Sequence, residues 1–190
     1  MTRITQIFRS CPGADKKEVE AYYDVIADSY DSLHAQEQQA KYVEALKPLR
    51  GGRVKGTVLD AGCGTGLLFS QLEGFENLIG VDLSGRMLEI AKRRAEGKAN
   101  VHLVRCDVER LPFRSLAFEA CFLFTVTQNL PNPLEAFSEL RRVSKRQAVM
   151  ALTLMDGSAE IEDILKLTGL KLALKSRVRK EIILTGFKVS

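Results

Sequence analysis

Residues 58–66 constrain the fold of this chain more than any other stretch, and they read Val-Leu-Asp-Ala-Gly-Cys-Gly-Thr-Gly. Alternating glycines allow a sharp backbone turn and leave no side chain between the backbone and a ligand. The pattern predicts a buried strand, a tight turn and the N-terminus of a helix. Free N–H groups and a partial positive charge at that helix end would face the same spot. We therefore expect a pocket for a nucleoside-type ligand at this turn.

Apolar runs of strand length alternate with helical segments along the chain. Predicted strands cover residues 57–61, 78–83, 101–106, 118–126 and 147–154, and predicted helices cover residues 65–72, 84–94, 133–142 and 161–167. Two further strands, 170–178 and 181–187, must be antiparallel because the link between them is too short for a parallel crossover. The predicted fold class is α/β: a doubly wound, mostly parallel seven-stranded sheet with an antiparallel last strand and helices on both faces.

The N-terminal region is predicted to be helical. A first helix begins at Asp15, and its amphipathic stripe is formed by Tyr22, Val25, Ile26, Ser29, Tyr30 and Leu33. A second helix covers residues 35–46, and residues 1–14 are expected to form a loose arm. At 190 residues the chain fits one domain, which we divide into an N-terminal helical arm, residues 1–50, and a core, residues 56–190.

Composition places the chain among ordinary globular proteins, with 45% hydrophobic and 27% charged residues. The longest apolar run, residues 120–126, is too short to span a membrane, and the first ten residues lack the apolar core of a signal peptide. We therefore expect a cytoplasmic protein without a membrane partner. The four cysteines form no Cys-x-x-Cys pair, so neither a metal site nor a disulfide framework is predicted.

Positive charge is concentrated at the C-terminal end. Residues 141–190 hold 11 basic and 5 acidic residues, whereas the whole chain has a formal net charge of +4. One interpretation is a surface for an anionic partner such as RNA. The other, which we favour, is an ordinary solvated helix end and exposed strand faces.

Three acids stand at the ends of the first three predicted strands: Asp60, Asp82 and Asp107. Ligands of a doubly wound sheet lie at the carboxyl ends of its strands, so these side chains are expected at the pocket. Asp82 follows Asp60 by 22 residues, near the spacing at which an acid reaches ribose hydroxyls. Leu67 opposes an NAD fingerprint, because that pattern needs a third small residue there. No Gly-Lys-Ser/Thr of a phosphate-binding loop follows the turn.

Four segments occur in the order and spacing of a known family. They are Asp-Ala-Gly-Cys-Gly-Thr-Gly at 60–66, Val-Asp-Leu-Ser at 81–84, Cys-Asp-Val at 106–108 and Phe-Glu-Ala at 118–120. Over residues 20–155 the chain resembles the class I S-adenosylmethionine-dependent methyltransferases, whose core is Rossmann-like. The resemblance implies an enzyme that takes S-adenosylmethionine as its cofactor.

At the methionine end of that cofactor, the resemblance implies that the glycine turn passes close to the ligand. The turn residues concerned are Gly62, Cys63, Gly64 and Gly66. Asp60 would hold the ammonium group, directly or through water. Phe124 and Thr125, which follow the fourth strand, would line the methyl end.

At the nucleoside end, the resemblance implies that Asp82 binds the ribose hydroxyls and that Leu83 lies against adenine. Asp107 would accept from the adenine amino group, and the Val108 N–H would meet a ring nitrogen. Purely structural roles are the alternatives: Asp82 could cap the helix that begins near Ser84, and Asp107 could be a turn residue.

Residues 22–31, Tyr-Tyr-Asp-Val-Ile-Ala-Asp-Ser-Tyr-Asp, are similar to the element that covers the cofactor in many of these enzymes. The similarity implies that the helical arm is a lid and that Tyr22 or Tyr30 closes over the cofactor. The alternative is that both rings only pack the helical stripe.

The methyl acceptor is less constrained. Residues 125–133 read Thr-Val-Thr-Gln-Asn-Leu-Pro-Asn-Pro. They lack the Asn-Pro-Pro-Tyr type of motif in which enzymes that methylate bases or glutamine side chains resemble each other. Gln128 and Asn129 stand where many relatives carry a His pair, and an amide is no base, so no catalytic residue is predicted.

A short loop at residues 155–159 predicts an open site. Such a site favours RNA or protein as the acceptor, with an activating partner chain completing the pocket. Alternatives are a small-metabolite acceptor and a catalytically silent subunit that only binds S-adenosylmethionine. A nicotinamide-dependent reductase is a third alternative, which Leu67 opposes.

Overall fold

The structure, a computed structural model, describes residues 15–49, 52–157 and 160–189. Residues 1–14, which were predicted to be loose and include Cys11, lie outside the described residues. Residues 158–159 of the short loop lie outside them as well. None of the helices in the described ranges is long and apolar enough to cross a membrane.

One continuous helix, α1 (Lys16–Leu46), forms the N-terminal element. Asp15 caps it by accepting a hydrogen bond from the Lys17 N–H at 3.1 Å. The prediction of two helices is wrong. Residues 33–35 contain neither glycine nor proline, so nothing interrupts the backbone hydrogen bonds between the two predicted segments.

The buried face of α1 differs from the predicted stripe. Tyr22, Val25 and Leu33 are 59%, 83% and 66% exposed, so the stripe does not pack into the core at these positions. The buried residues of the helix are Ala27, Gln38, Lys41, Tyr42, Ala45 and Leu46. The first half of α1 lies over the carboxyl ends of the strands and turns charged residues and tyrosines toward them, including Lys16, Glu20, Tyr23 and Tyr30.

Seven strands form one sheet in the order β3-β2-β1-β4-β5-β7-β6. They are β1 (Thr57–Ala61), β2 (Asn77–Asp82), β3 (Val101–Arg105), β4 (Phe118–Leu123), β5 (Ser144–Met155), β6 (Leu170–Val178) and β7 (Glu181–Lys188). β1 to β5 pair in parallel, whereas β7 runs antiparallel to both β5 and β6. The predicted fold class is confirmed.

Helices cover both faces of this sheet, as predicted. They are α2 (Gly85–Arg94), α3 (Pro133–Val143) and α4 (Ile161–Thr168). The C-terminal end of α1 and α2 pack on one face, and α3 and α4 pack on the other. Ser84 caps α2 as predicted, since its hydroxyl accepts from the Met87 N–H at 3.0 Å.

The glycine turn follows β1, where the strand order reverses between β2 and β4. A crevice opens at such a reversal, at the carboxyl ends of the strands. The prediction of a helix at residues 65–72 is wrong. The helical part of this segment is a short 3₁₀ turn at Leu67–Ser70. Gly66 takes a left-handed φ of 78°, and the chain then folds back so that the Glu73 N–H donates to the Gly52 carbonyl at 3.0 Å. The backbone of the turn, rather than a long helix, must therefore serve the ligand.

Most strand boundaries lie within one residue of the prediction, and two differ from it by three residues. β4 ends at Leu123 rather than at residue 126, because Thr125 adopts a left-handed φ of 58° that a strand cannot continue through. β5 begins at Ser144, directly after α3, rather than at residue 147. Because β4 ends early, residues 124–126 leave the sheet as a loop.

Candidate cofactor site

A cavity of about 730 Å³, including its open mouth, lies at the carboxyl ends of β1, β2 and β4 beneath the first half of α1. The core of the domain contributes Gly62, Gly64, Asp82, Leu83, Ser84, Met87, Cys106, Asp107, Val108, Phe124, Thr125, Val126, Asn129, Leu130 and Pro131. The helix contributes Lys16, Val19, Glu20, Tyr23 and Tyr30.

Two glycines of the turn meet different surroundings. A Cβ at Gly62 would lie 2.3 Å from Cγ2 of Val126, so only glycine fits there without a shift of the chain after β4. A Cβ at Gly64, where φ is 53°, would meet nothing within 4 Å. Gly62 is therefore required by packing, whereas Gly64 leaves open space beside the cavity.

Asp82 fastens the turn to the end of β2. Its Oδ2 accepts from the Gly64 N–H at 2.8 Å, and its Oδ1 accepts from the Ser84 N–H at 2.9 Å. Burial raises the pKa of this carboxyl, and the two backbone donors act against that rise. A carboxylate has about four acceptor positions, so Asp82 retains acceptor capacity toward the cavity that it lines.

Asp107 lies at the opposite end of the cavity, after β3. Its Oδ1 accepts from the Glu109 N–H at 2.9 Å, and its Oδ2 binds the ammonium group of Lys16. Lys16 also binds the Glu109 carboxylate. The first turn of α1 is thus tied to this end of the cavity by one lysine and two acids.

Asp60 is buried on β1, two residues before Gly62, with 3% of its surface exposed. Its Oδ2 has no hydrogen-bond partner among the described residues. Burial, with a smaller contribution from the charge of Asp82, raises the pKa of Asp60 to about 8. The side chain is therefore mainly protonated at neutral pH, and a cation beside it would supply the missing partner.

Two tyrosines of α1 reach the cavity. The hydroxyl of Tyr23 accepts from Asn129 Nδ2 at 2.7 Å, and the hydroxyl of Tyr30 lies 3.4 Å from Gln38 Nε2. Burial raises the pKa of Tyr23 to about 12 and raises the pKa of Tyr30 further above its ordinary value. Both phenols therefore stay protonated at neutral pH and are not suited to act as bases.

Most residues singled out from the sequence meet at this cavity. Those that line it are Gly62, Gly64, Asp82, Leu83, Asp107, Val108, Phe124, Thr125 and Tyr30. Asp60, Cys63 and Gly66 lie behind the lining: Cys63 is buried, and Gly66 backs onto the ring of Phe69. Tyr22 points into solvent, and its neighbour Tyr23 takes the place at the cavity because the helix presents another face than the stripe suggested.

Sequence reasoning missed Lys16, Tyr23 and Asn129 as parts of the cavity wall. Tyr23 lies next to Tyr22 in a Tyr-Tyr pair, so only the rotational phase of α1 decides which ring faces inward. Lys16 lies 91 positions from its partner Asp107. No periodicity in the chain indicates a pairing over that distance.

The chain has clear relatives. Residues 59–152 match the family described as “Methyltransferase domain”. A demethylmenaquinone methyltransferase of Staphylococcus aureus is 31% identical over 139 residues, which cover 70% of this chain and 58% of the relative. The chain belongs to the class I S-adenosylmethionine-dependent methyltransferases. It spans 55–58% of the length of the curated relatives it matches, so the substrates of those longer proteins do not transfer to it directly.

Solved structures show the methyltransferase fold at low sequence identity. The [4+2]-cyclase SpnF has a TM-score of 0.76 at 17% identity, over 96% of this chain and 98% of that one. A chain in the complex between the Haloferax volcanii Trm112 methyltransferase activator and a methyltransferase has a TM-score of 0.71 at 13% identity, over 88% and 98%. At these identities the likeness establishes the fold and nothing further.

S-adenosylmethionine is the cofactor that this methyltransferase family implies, and the cavity fits it on three counts. Asp60 offers an unpartnered buried carboxyl oxygen for a cationic group. Gly64 leaves open space at the turn, and Asp82 presents a carboxylate on the cavity wall. The described residues of this methyltransferase contain no cluster of side chains suited to hold a metal ion.

Proposed function

We propose that this methyltransferase domain binds S-adenosylmethionine in the cavity and transfers its methyl group to a small apolar acceptor. Asp60 carries the cofactor half of the proposal. A buried carboxyl with an unsatisfied oxygen is costly, and an ammonium group at the methionine end would supply both the hydrogen bond and the charge. That partner would lie beside the turn at Gly64, where a Cβ would meet nothing within 4 Å.

The remaining contacts can be assigned along the cavity. Gly62 and Gly64 would lie against the methionine part, and Asp82 would accept from the ribose hydroxyls with its free lone pairs. Leu83, Asp107 and Val108 would surround adenine at the end nearest to Lys16. Cys63 and Gly66 shape the turn from behind. Phe124, Tyr23 and Tyr30 would enclose the methyl end, and Tyr22 is left out because it is exposed.

The cofactor supplies a methyl group bound to a positively charged sulfur, which is already activated for in-line displacement. The residues of this chain then contribute orientation and the exclusion of water, which together supply several kcal/mol in such reactions. Tyr23 and Tyr30 stay protonated, and their hydroxyls accept from Asn129 and Gln38, so each O–H could donate to a ligand. We assign positioning rather than proton transfer to these groups.

A small acceptor is favoured over RNA or protein by the cover that α1 provides. The helix contributes a wall of five residues to the cavity, so the site is less open than the short loop after β5 suggested. Apolar side chains dominate the wall near β4, including Phe124, Val126 and Leu130. The Staphylococcus aureus relative is named a demethylmenaquinone methyltransferase, so the acceptor in its name is neither RNA nor protein.

The basic C-terminal end gives little support to an RNA acceptor. Several of its cations are paired within the domain, namely Arg142 with Glu139, Lys145 with Glu119, Arg177 with Asp156 and Arg179 with Glu37. Lys188 donates to the backbone carbonyls of Arg141 and Ser144, each at 2.7 Å. Cations that are occupied in this way are less available to phosphates.

An activating partner chain and a cytoplasmic location remain proposals. The Haloferax volcanii structure is a complex with an activator, which is the reason to include a partner in the tests. A purified chain that binds the cofactor and methylates only after addition of an extract fraction would support the partner.

The cofactor assignment can be tested by calorimetric titration of S-adenosylmethionine at pH 7 in two buffers of different ionisation enthalpy. Asp60 starts protonated because its pKa is about 8, and an adjacent ammonium group would stabilise its charged form. We expect release of about one proton per bound cofactor. Asp60→Asn should bind more weakly and release none, whereas Asp163→Asn, on α4, should behave like the wild type. Binding without proton release would contradict the role of Asp60.

The acceptor can be tested by incubating an extract that lacks this protein with methyl-radiolabelled cofactor and the purified chain. We expect label in the organic-solvent fraction. Dominant label in RNA or protein would overturn the small-acceptor proposal in favour of a macromolecule. Cofactor binding without label in any fraction would identify a silent binding subunit.

A further inference from the structure

Thr125 stands in an unusual conformation at the end of β4. It has a φ of 58°, a region that β-branched residues rarely enter. Strained residues of this kind persist only where the surrounding structure over-determines them, and they concentrate at functional sites. Thr125 also lines the cofactor cavity, between Phe124 and Val126.

Four side chains hold Thr125 in place. Its N–H donates to Thr153 Oγ1 at 2.7 Å. Its Oγ1 accepts from Lys41 Nζ at 2.9 Å and from Gln38 Nε2 at 3.1 Å, and it lies 3.2 Å from both carboxylate oxygens of Glu181. The hydroxyl therefore accepts from α1 and donates to β7.

Lys41 and Glu181 form a buried ion pair. Their side chains are 1% and 5% exposed, and Nζ lies 2.5 Å from Oε1. Removing two charges from water costs about as much as their attraction returns, and apolar replacements often stabilise a protein equally well. A contribution to stability therefore does not explain why this ion pair is present. Holding Thr125 in one conformation does explain it.

The conformation of Thr125 decides where its neighbours lie. Phe124, on one side, lines the cavity, and Val126, on the other, packs so tightly on the glycine turn that a Cβ at Gly62 would lie 2.3 Å from its Cγ2. Release of Thr125 into an ordinary conformation would move both. The ion pair is thus connected to the glycine turn through Thr125 and Val126, which follow the end of β4.

We propose that Lys41 and Glu181 are positioning residues of the methyl-transfer site. They hold the hydroxyl of Thr125, and Thr125 in turn seats Phe124 and Val126 against the methionine end of the cofactor. This inference rests on the proposed function, since it assumes that the cavity binds S-adenosylmethionine. It also joins the buried half of α1 and the antiparallel strand β7 to the cofactor turn.

The test compares variants by calorimetric titration of S-adenosylmethionine and by urea unfolding. Thr125→Val keeps the branched shape but removes the hydroxyl, and we expect its Kd to rise about tenfold. Thr125→Ser keeps the hydroxyl and should stay within about twofold of the wild type. Thr168→Val is the matched control, because its hydroxyl donates to the Ile164 carbonyl at 2.7 Å in a helix that does not line the cavity. The control should lower the urea midpoint and leave the Kd unchanged.

The double variant Lys41→Met/Glu181→Leu separates positioning from stability. Both charges of the pair are removed together, so neither is left buried without its partner. Glu37 keeps its own ion pair with Arg179 at 2.7 Å. We expect a urea midpoint near that of the wild type with a Kd raised about tenfold. If Thr125→Val and the double variant bind as tightly as the wild type, the inference is overturned and the proposed function stands. If the wild type itself does not bind the cofactor, both are overturned. Should the double variant fail to fold, the pair of Thr125 variants decides alone.

Discussion

Residues 16–33 and residues 34–46 of α1 cover neighbouring parts of the same sheet edge by different means. The first half leaves Tyr22, Val25 and Leu33 exposed. Its charged residues bind groups of the core, pairing Lys16 with Asp107 and Glu109, Glu20 with Arg105, Asp24 with Ser84, Asp28 with Arg86 and Asp31 with Arg94. The second half buries Tyr42, Ala45 and Leu46 in the core.

The difference teaches which half can move. Exposed ion pairs are each worth between about 0 and 1 kcal/mol and weaken with salt, whereas the burial of a large apolar side chain contributes about 1.5–3 kcal/mol. Regions held by few apolar contacts open at lower free energy than the core does. We therefore expect the half of α1 above the cavity to open more easily than the other half, which is the behaviour that a lid over a cofactor requires.

Tyr42→Ala should have the largest effect, because it removes an aromatic side chain from the core. Tyr42 is 7% exposed, and its ring centroid lies 5.1 Å from that of Phe124. We expect a loss of about 3 kcal/mol in the free energy of unfolding, measured by urea titration. Tyr22→Ala, the same substitution in the exposed half, should change it by less than about 0.5 kcal/mol. Equal losses at the two positions would contradict the comparison.

Asp24→Ala should act mainly on the cofactor. The Asp24 carboxylate accepts from Ser84 Oγ at 2.5 Å and from the Arg86 N–H at 3.1 Å, at the start of α2. Its loss should cost about 1 kcal/mol, which would appear as cofactor dissociation about fivefold faster in a stopped-flow chase. Asp28→Ala, which removes only an exposed pair with Arg86, serves as the control. A fivefold change in both variants would argue against a specific latch at Asp24.

Salt should affect the opening of the two halves of α1 differently. When NaCl is raised from about 0.05 M to about 0.5 M, the Debye length falls severalfold and exposed pairs weaken. We expect hydrogen exchange of amides in residues 16–33 to accelerate about threefold, while residues 38–46 stay unchanged. Uniform acceleration along α1 would show that the helix opens as one unit.

Val25→Ser should have the smallest effect. Val25 is 83% exposed, so replacing its methyl groups with a hydroxyl should leave the free energy of unfolding within about 0.5 kcal/mol of the wild-type value. A loss beyond that in thermal unfolding would indicate that the exposed stripe packs against another surface in solution.

Local patterns account for the parts of the site that the sequence predicted well. The turn at Gly62 and Gly64 and the acids Asp82 and Asp107 follow strands, and strands are recognisable from short apolar runs. Once the strands are parallel, their carboxyl ends must meet at one edge, so the cavity wall made by the core follows from chain order. The helix expected at residues 65–72 failed because Gly66 and the return of the chain to Gly52 override a weak helical period.

The sequence by itself determined the class of the sheet, the antiparallel pair at its end, the glycine turn and the acids around it, because strand period and turn chemistry act over a few residues. Only the tertiary structure decided which face of α1 is buried, that Tyr23 rather than Tyr22 reaches the cavity, and that Lys41 meets Glu181 across 140 positions of the chain. Side-chain pairings at such separations depend on how the elements pack. Periodicity fixes the order of those elements but not the rotation of one helix about its own axis.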